Sequence, residues 1–309
     1  MNPGGYPRLN ERMKTLRACT LLMLTAIIWG FAMAAQQKIS QVLGPFTCNA
    51  MRFLIAAATL FPFMVLQNQK NRTPVGKTDL LSGLTVGVVI FTAAFCQQAG
   101  VGETGAGKAG FITALYVVLV PLVGGLLFRH KTPLSTWLSL LIALPGLYLL
   151  CIPRGESFTL SRGDIWMLTG ALFWALHILT TDLFVSRTTA LKLCVIQFIV
   201  SAVLNFLCAL IFEEISLPDI GKVILPLLYC GMASNGLGYL FQTLGQRHAK
   251  PAHAALILSL ECVFCLVAGA LLLQERMSLE GYIGSAMMLT AVLLSQLGML
   301  KNAPPAERS

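Results

Sequence analysis

Glu261 stands inside an apolar run that extends from 251 to 274. It lies about eleven residues in, close to the centre of a membrane at a helical rise of about 1.5 Å per residue. A carboxyl in so low a dielectric carries its charge at high cost, so it can load and release a proton or pair with a cationic solute. A structural ion pair, or a hydrogen bond to a neighbouring helix, would meet the same cost. Arg52 lies in the run 45–67, about 10 Å from its nearer end. Its planar fork suits a carboxylate held by two parallel hydrogen bonds. Snorkelling to the surface or pairing with an acid is the competing reading, and Glu261 is a candidate partner that sequence alone does not bring alongside. His177, in a third apolar run, could relay protons near neutral pH or donate a hydrogen bond to its packing neighbours.

Asn235 and Tyr239 are one helical turn apart and could hydrogen-bond a ligand from one face. Trp29, Trp174, Tyr116 and Gln97 complete the candidate cavity lining, although packing is the better reading of the two matched tryptophans. Lys108 reads as a snorkelling residue at a membrane surface and Asp182 as a solvated one. No catalytic residue is assigned. The four histidines (130, 177, 248 and 253) are dispersed, with no His-Glu-x-x-His pair. Cys262-x-x-Cys265 puts two thiols on one face with no further ligand cluster, so no metal and no cofactor are expected. The chain has no Gly-x-x-x-x-Gly-Lys-Ser/Thr loop, so ATP is not expected as the driver.

These residues sit in long apolar segments because nearly all of the chain is apolar. Of 309 residues, 56% are hydrophobic and 11% charged, against about a quarter charged in a soluble domain. That excludes a water-soluble enzyme, a disulfide scaffold and a disordered chain. Ten segments approach the roughly 20 residues that a membrane helix needs: 18–36, 45–67, 80–99, 105–128, 134–152, 163–185, 190–212, 221–243, 251–274 and 279–300. With the N-terminus inside, 15 of the 22 Lys and Arg fall in inner loops and tails and 5 in outer loops, while Arg52 and Lys108 lie within spans. The bias places both termini in the cytoplasm. It accounts for the net charge of +9 without nucleic acid.

The chain is also doubled. A shift of 145 residues sets Trp29 on Trp174, Arg52-Phe53 on Gln197-Phe198, Gln97 on Gln242, Gly100 on Gly245, Tyr116 on Glu261 and Ser139 on Gly284. Each repeat has five spans, so the second must enter the membrane upside down. The expected fold is an all-α integral membrane protein of ten transmembrane helices in two inverted five-helix repeats. A first repeat over 18–152 and a second over 163–300 are flanked by cytoplasmic tails 1–17 and 301–309. Polar residues present in only one half are the better site candidates, since a substrate is rarely symmetric.

Several short motifs, in this order, resemble the EamA family of the drug/metabolite transporter superfamily. They are Ile28-Trp29-Gly30, Met51-Arg52-Phe53-Leu54, Leu119-Val120-Pro121-Leu122, Ser259-Leu260-Glu261-Cys262-Val263-Phe264 and Leu272-Leu273-Gln274-Glu275-Arg276 with Gly281 and Gly284. Two positions depart from the family pattern: Cys262 stands in place of a proline and His130 in place of an acid. The first removes the expected cause of a break in the ninth span. The resemblance implies a multi-pass protein of the cell membrane that moves small metabolites, amino acids or drug-like compounds, often outward. The expectation is therefore a secondary transporter working by alternating access and driven by proton exchange or by passive exchange, with a small-molecule substrate, the lipid bilayer and, in the first case, protons as its partners. Import of the same solutes is the first alternative, and a membrane enzyme acting on lipids a distant second.

Overall fold

The computed structural model describes residues 7–104, 106–152, 161–273 and 278–301. All of its regular elements are helical. In the first half they are α1 (Pro7–Ser40), α2 (Pro45–Asn71), α3 (Lys77–Val101), α4 (Ala106–Ala114), α5 (Tyr116–Phe128) and α6 (Leu134–Cys151). The second half runs through α7 (Arg162–Val185), α8 (Ala190–Phe212), the short α9 (Leu217–Lys222) and α10 (Ile224–Leu228), and a π-helix (Tyr229–Gly238). It continues with α11 (Tyr239–Gln246), α12 (Pro251–Leu258), α13 (Glu261–Leu273) and α14 (Leu279–Lys301). Among the described residues, eight helical segments are long and apolar enough to cross a membrane, and the fifth and tenth spans are shorter apolar helices. Large side chains cover the outside: Leu126 is 82% exposed and Ile211 73%. Water would disfavour such a surface, whereas acyl chains solvate it.

The helix starts follow local chemistry. Ser161 accepts from the Asp164 amide at 3.2 Å while Asp164 accepts from the Ser161 amide at 2.6 Å, a reciprocal cap for α7. Glu213, beyond the end of α8, accepts from the Phe46 and Thr47 amides at 2.8 Å each and so caps α2 from across the bundle. At the opposite end of α8, Lys192 donates to Asp79 of α3 at 3.0 Å and to the Pro74 carbonyl at 2.9 Å. The two ends of α8 are thereby tied to both of its neighbours from the first half.

Packing obeys a twofold relation between the halves. α2 lies on α8 and α6 on α14, each against its own repeat counterpart. The contact of α3 with α7 recurs as that of α1 with the π-helix and α11, and the contact of α1 with α12 and α13 recurs as that of α7 with α4 and α5. The correspondence reaches individual atoms. A Cβ on Gly100 would meet Met167 Cγ at 2.6 Å and the Gly163 carbonyl at 2.8 Å; one on Gly245 would meet Leu22 Cγ at 2.7 Å and the Ala18 carbonyl at 3.1 Å. Each of these partners is again 145 residues from its equivalent. Phe53 and Phe198, both fully buried and both repeat counterparts, stack with centroids 5.9 Å apart at 27°.

A close backbone-to-backbone crossing joins α6 to α14. A Cβ on Gly284 would sit 2.5 Å from the Gly146 carbonyl oxygen and 2.9 Å from the Leu150 amide nitrogen. Both are backbone atoms that cannot swing aside, so Gly284→Ala should force the helices apart and lose about 1–3 kcal/mol by overpacking. Gly221→Ala, which meets nothing within 4 Å, is the control. Thermal denaturation in detergent checks this; equal midpoints for the two variants would refute the close-crossing account.

Candidate functional site

The fourth and ninth spans are each broken near mid-length. α4 ends at Ala114 and α5 starts at Tyr116; α12 ends at Leu258 and α13 starts at Glu261. The breaks share one register. The Leu115 amide turns back to the Ile112 carbonyl at 3.2 Å, and the Leu260 amide to the Ile257 carbonyl at 3.1 Å. Leu119 bonds to Leu115 as Phe264 bonds to Leu260, at 3.2 and 3.1 Å. The ninth span breaks although Cys262 replaces the proline that would explain it, so that expectation is corrected. A tightened turn at Leu260 supplies the break, and the Ser259 hydroxyl takes up the Leu256 carbonyl at 2.8 Å.

The two breaks meet. Tyr116 and Glu261 are the first residues of α5 and α13 and are repeat counterparts, and the Tyr116 hydroxyl donates to Glu261 Oε1 at 3.4 Å. They form part of the wall of a small cavity of about 40 Å³ between the two halves. All nine candidate side chains line this one cavity: Glu261, Arg52, His177, Trp29, Trp174, Asn235, Tyr239, Tyr116 and Gln97. They come from spans 1, 2, 3, 4, 6, 8 and 9, so the site belongs to both halves.

Tyr239 is the centre of the aromatic wall. Trp29 lies 4.9 Å from it by ring centroids, Trp174 stacks at 6.1 Å and 19°, and His177 meets it edge-on at 5.5 Å. His177 Nε2 shares a hydrogen bond with the Gln197 carboxamide at 3.1 Å. Repeat matching suggests one shared packing role for Trp29 and Trp174, but their polar ends differ. The Trp29 indole donates to the Ser234 carbonyl at 3.0 Å, whereas the buried Trp174 indole has no acceptor.

Asn235 and Tyr239 do not sit one α-turn apart as expected, because 229–238 winds as a π-helix. Such winding frees carbonyls from their usual donors, and span 1 takes them up: Trp29 donates to Ser234 and Thr25 to the Gly238 carbonyl at 3.1 Å.

Arg52 does not snorkel. It is 2% exposed, its Nη1 donates to Gln36 Oε1, and its guanidinium carbon lies 5.5 Å from the Phe53 ring centre. Its Nε has no partner. Among the described residues no acid pairs with Arg52, no base pairs with Glu261, and the two do not pair with each other. One cavity thus holds a guanidinium and a carboxyl, each lacking a counterion. Unpartnered polar atoms also include Thr113 Oγ1, Asn235 Nδ2 and Gln242 Oε1. Lys108 lies outside the residues whose side chains are described. Asp182 is partly buried and lines a second cavity. Among the described residues no group of three or more His, Cys, Asp or Glu could hold a metal.

Gln36, Thr113, Ser234 and Gln242 also belong to the wall, although none stands out as a site residue in the sequence. Gln36 is seven residues after Trp29, hence on the same face of α1, and that spacing could have found it. Gln242 also forms the floor. Its Nε2 donates to Gln246 Oε1 at 2.9 Å, and Gln246 Nε2 donates to the Ile178 carbonyl at 2.8 Å. Gln246 and Leu179 face the second cavity on the far side of this layer.

The family model described as the EamA-like transporter family matches residues 16–152 and again 161–297. The chain belongs to the EamA-like transporter family. The two matches begin 145 residues apart (161 minus 16), the register in which the halves of the chain align. An uncharacterized transporter of Archaeoglobus fulgidus is 30% identical over 291 residues, covering 93% of this chain and 88% of that one. An uncharacterized transporter of Methanothermobacter thermautotrophicus is 23% identical, covering 94% and 89%. A crystal structure with a TM-score of 0.76 at 18% identity covers 92% of this chain and 99% of its own, and shares the fold. The chain is thus a multi-pass membrane protein of a transporter family, built from two EamA repeats.

Proposed function

We propose that this protein is a secondary transporter that carries a small organic solute with a carboxylate and a cationic group, an amino acid or a close analogue. The observation that carries the reading is a guanidinium and a carboxyl in one cavity, neither with a counterion among the described residues. A solute carboxylate would give Arg52 the counterion it lacks, and a solute cation would take the place of a proton on Glu261. Trp29, Trp174 and Tyr239 offer aromatic faces to the remainder of the solute and to its cationic end.

Alternating access is supported by the inverted repeats and by the meeting of their broken helices at Tyr116 and Glu261, the arrangement in which discontinuous helices frame a midplane site. Glu261 is the proton-coupling group in this reading: it holds a proton when the cavity is empty and gives it up when a cation arrives. Export is the direction that membership of the family suggests, with both termini in the cytoplasm as the basic loops indicate.

The test compares metabolites inside and outside cells with and without the protein, followed by counterflow of the enriched solutes in proteoliposomes. Amino-acid-like solutes should accumulate outside and exchange without ATP. Enrichment confined to solutes that lack a carboxylate would remove Arg52 from the reading. A strict requirement for ATP would end it. Net uptake would reverse the direction and leave the site assignment standing.

A further inference from the structure

The second cavity, of about 610 Å³, lies beyond the Gln242–Gln246 layer, on the side that the basic loops assign to the cytoplasm. Its wall carries Lys14 of α1, Lys131 of the α5–α6 loop, and Arg247 and Lys250 of the α11–α12 turn. Among the described residues, Asp182 is the only acid in that wall. As a sequence pattern these cations signal orientation, a role that requires no particular shape. The fold does more with them: two loops more than a hundred residues apart converge on one concavity.

Repeat comparison separates this arrangement from the scaffold. Arg247, His248 and Lys250 stand where the first half has Gly102, Glu103 and Gly105. Inner-loop cations can also be consumed by structure, as Lys192 is by Asp79. Lys131 and Lys250, by contrast, have no acidic partner among the described residues.

We propose that this basin is an anion-collecting vestibule, which concentrates soluble solutes of net negative charge, such as acidic amino acids and other carboxylates, and delivers them to the Gln242–Gln246 layer. Concave walls of one charge sign focus the field and raise the local concentration and encounter rate of the opposite charge by about 10- to 1000-fold. The delivery role rests on the transport reading, whereas the anion preference is a property of the basin and is measured without transport.

The test uses the full chain carrying Thr132→Cys, a partly buried position in the wall. It is reconstituted in neutral phosphatidylcholine vesicles. Labelling at position 132 by sulfonatoethyl methanethiosulfonate (anionic) is compared with labelling by its trimethylammonioethyl counterpart (cationic), with peptide mass spectrometry locating the label. After correction for their rates with free cysteine, the anionic reagent should react about tenfold faster or more. That preference should collapse near 1 M salt, where the screening length is about 3 Å.

Lys250→Gln should lower the preference several-fold and Lys250→Arg should keep it, because only the fold brings position 250 near position 132. Equal rates for the two reagents, or indifference to position 250, would overturn the proposal. A preference abolished by adding phosphatidylglycerol would overturn it too, assigning the basin to lipid headgroups instead.

Discussion

Glu261→Gln is expected to abolish accumulation driven by a pH gradient while leaving solute exchange at equal pH measurable. The substitution is nearly isosteric, and it keeps an oxygen to accept from Tyr116, so the junction of the two broken helices should survive. What it removes is the one carboxyl at that junction. Glu261 has no base within ion-pair distance among the described residues, and a carboxylate left uncompensated in low dielectric costs several kcal/mol. In the proposed cycle, exchanging a proton for a cationic group would meet that cost twice. Glu261→Asp keeps the chemistry with a shorter reach and should keep part of the coupling. Uptake of a labelled substrate into proteoliposomes, with and without an imposed pH step, reads the result; unchanged accumulation in Glu261→Gln would assign the proton elsewhere.

Arg52→Lys is expected to raise KM for carboxylate-bearing substrates by about 10- to 150-fold, which corresponds to about 1.5–3 kcal/mol for charge-assisted hydrogen bonds. Charge is preserved, so the loss isolates the planar fork. Gln36 already holds one arm of the guanidinium and Nε remains unpartnered, so a carboxylate would complete the fork rather than compete for it. Amide analogues of the same substrates should lose little. Equal losses for acids and amides would make Arg52 a structural residue of the α1–α2 contact.

Much of this site was legible in the sequence, and for a physical reason. A charge or carboxamide inside a membrane segment is costly enough that it must face the protein interior, so Arg52, Glu261, His177, Asn235 and Gln97 stand out from apolar surroundings. The doubled register sharpens the choice by setting Glu261 against Tyr116 and Arg52 against Gln197. Helix winding was less legible. The π-helix over 229–238 depends on side chains of α1 that reach carbonyls some two hundred residues away, which no local pattern encodes. The break at Leu260 was hidden because the proline that would have signalled it is absent. The role of Gln246 was hidden as well: two glutamines at i and i+4 look like an ordinary helix face until Ile178 supplies the carbonyl.

The paired breaks at Leu115 and Leu260 bear on the energetics of the whole cycle. If the protein works by the alternating access proposed above, the two repeats trade conformations, so whatever one broken helix loses in its turn the other regains in its own. To first order the two end states would then be degenerate, and unmatched residues would tilt the balance between them. Tyr116 against Glu261, Arg52 against Gln197, Ala32 against His177 and Val101 against Gln246 are, on that reading, among the positions that would set which way the empty protein rests. A ligand needs to favour one state by only about 5.5 kcal/mol to turn a 1:99 population into 99:1, and satisfying two uncompensated charges is on that scale. A degenerate scaffold biased at a few asymmetric positions can be driven in either direction by modest gradients.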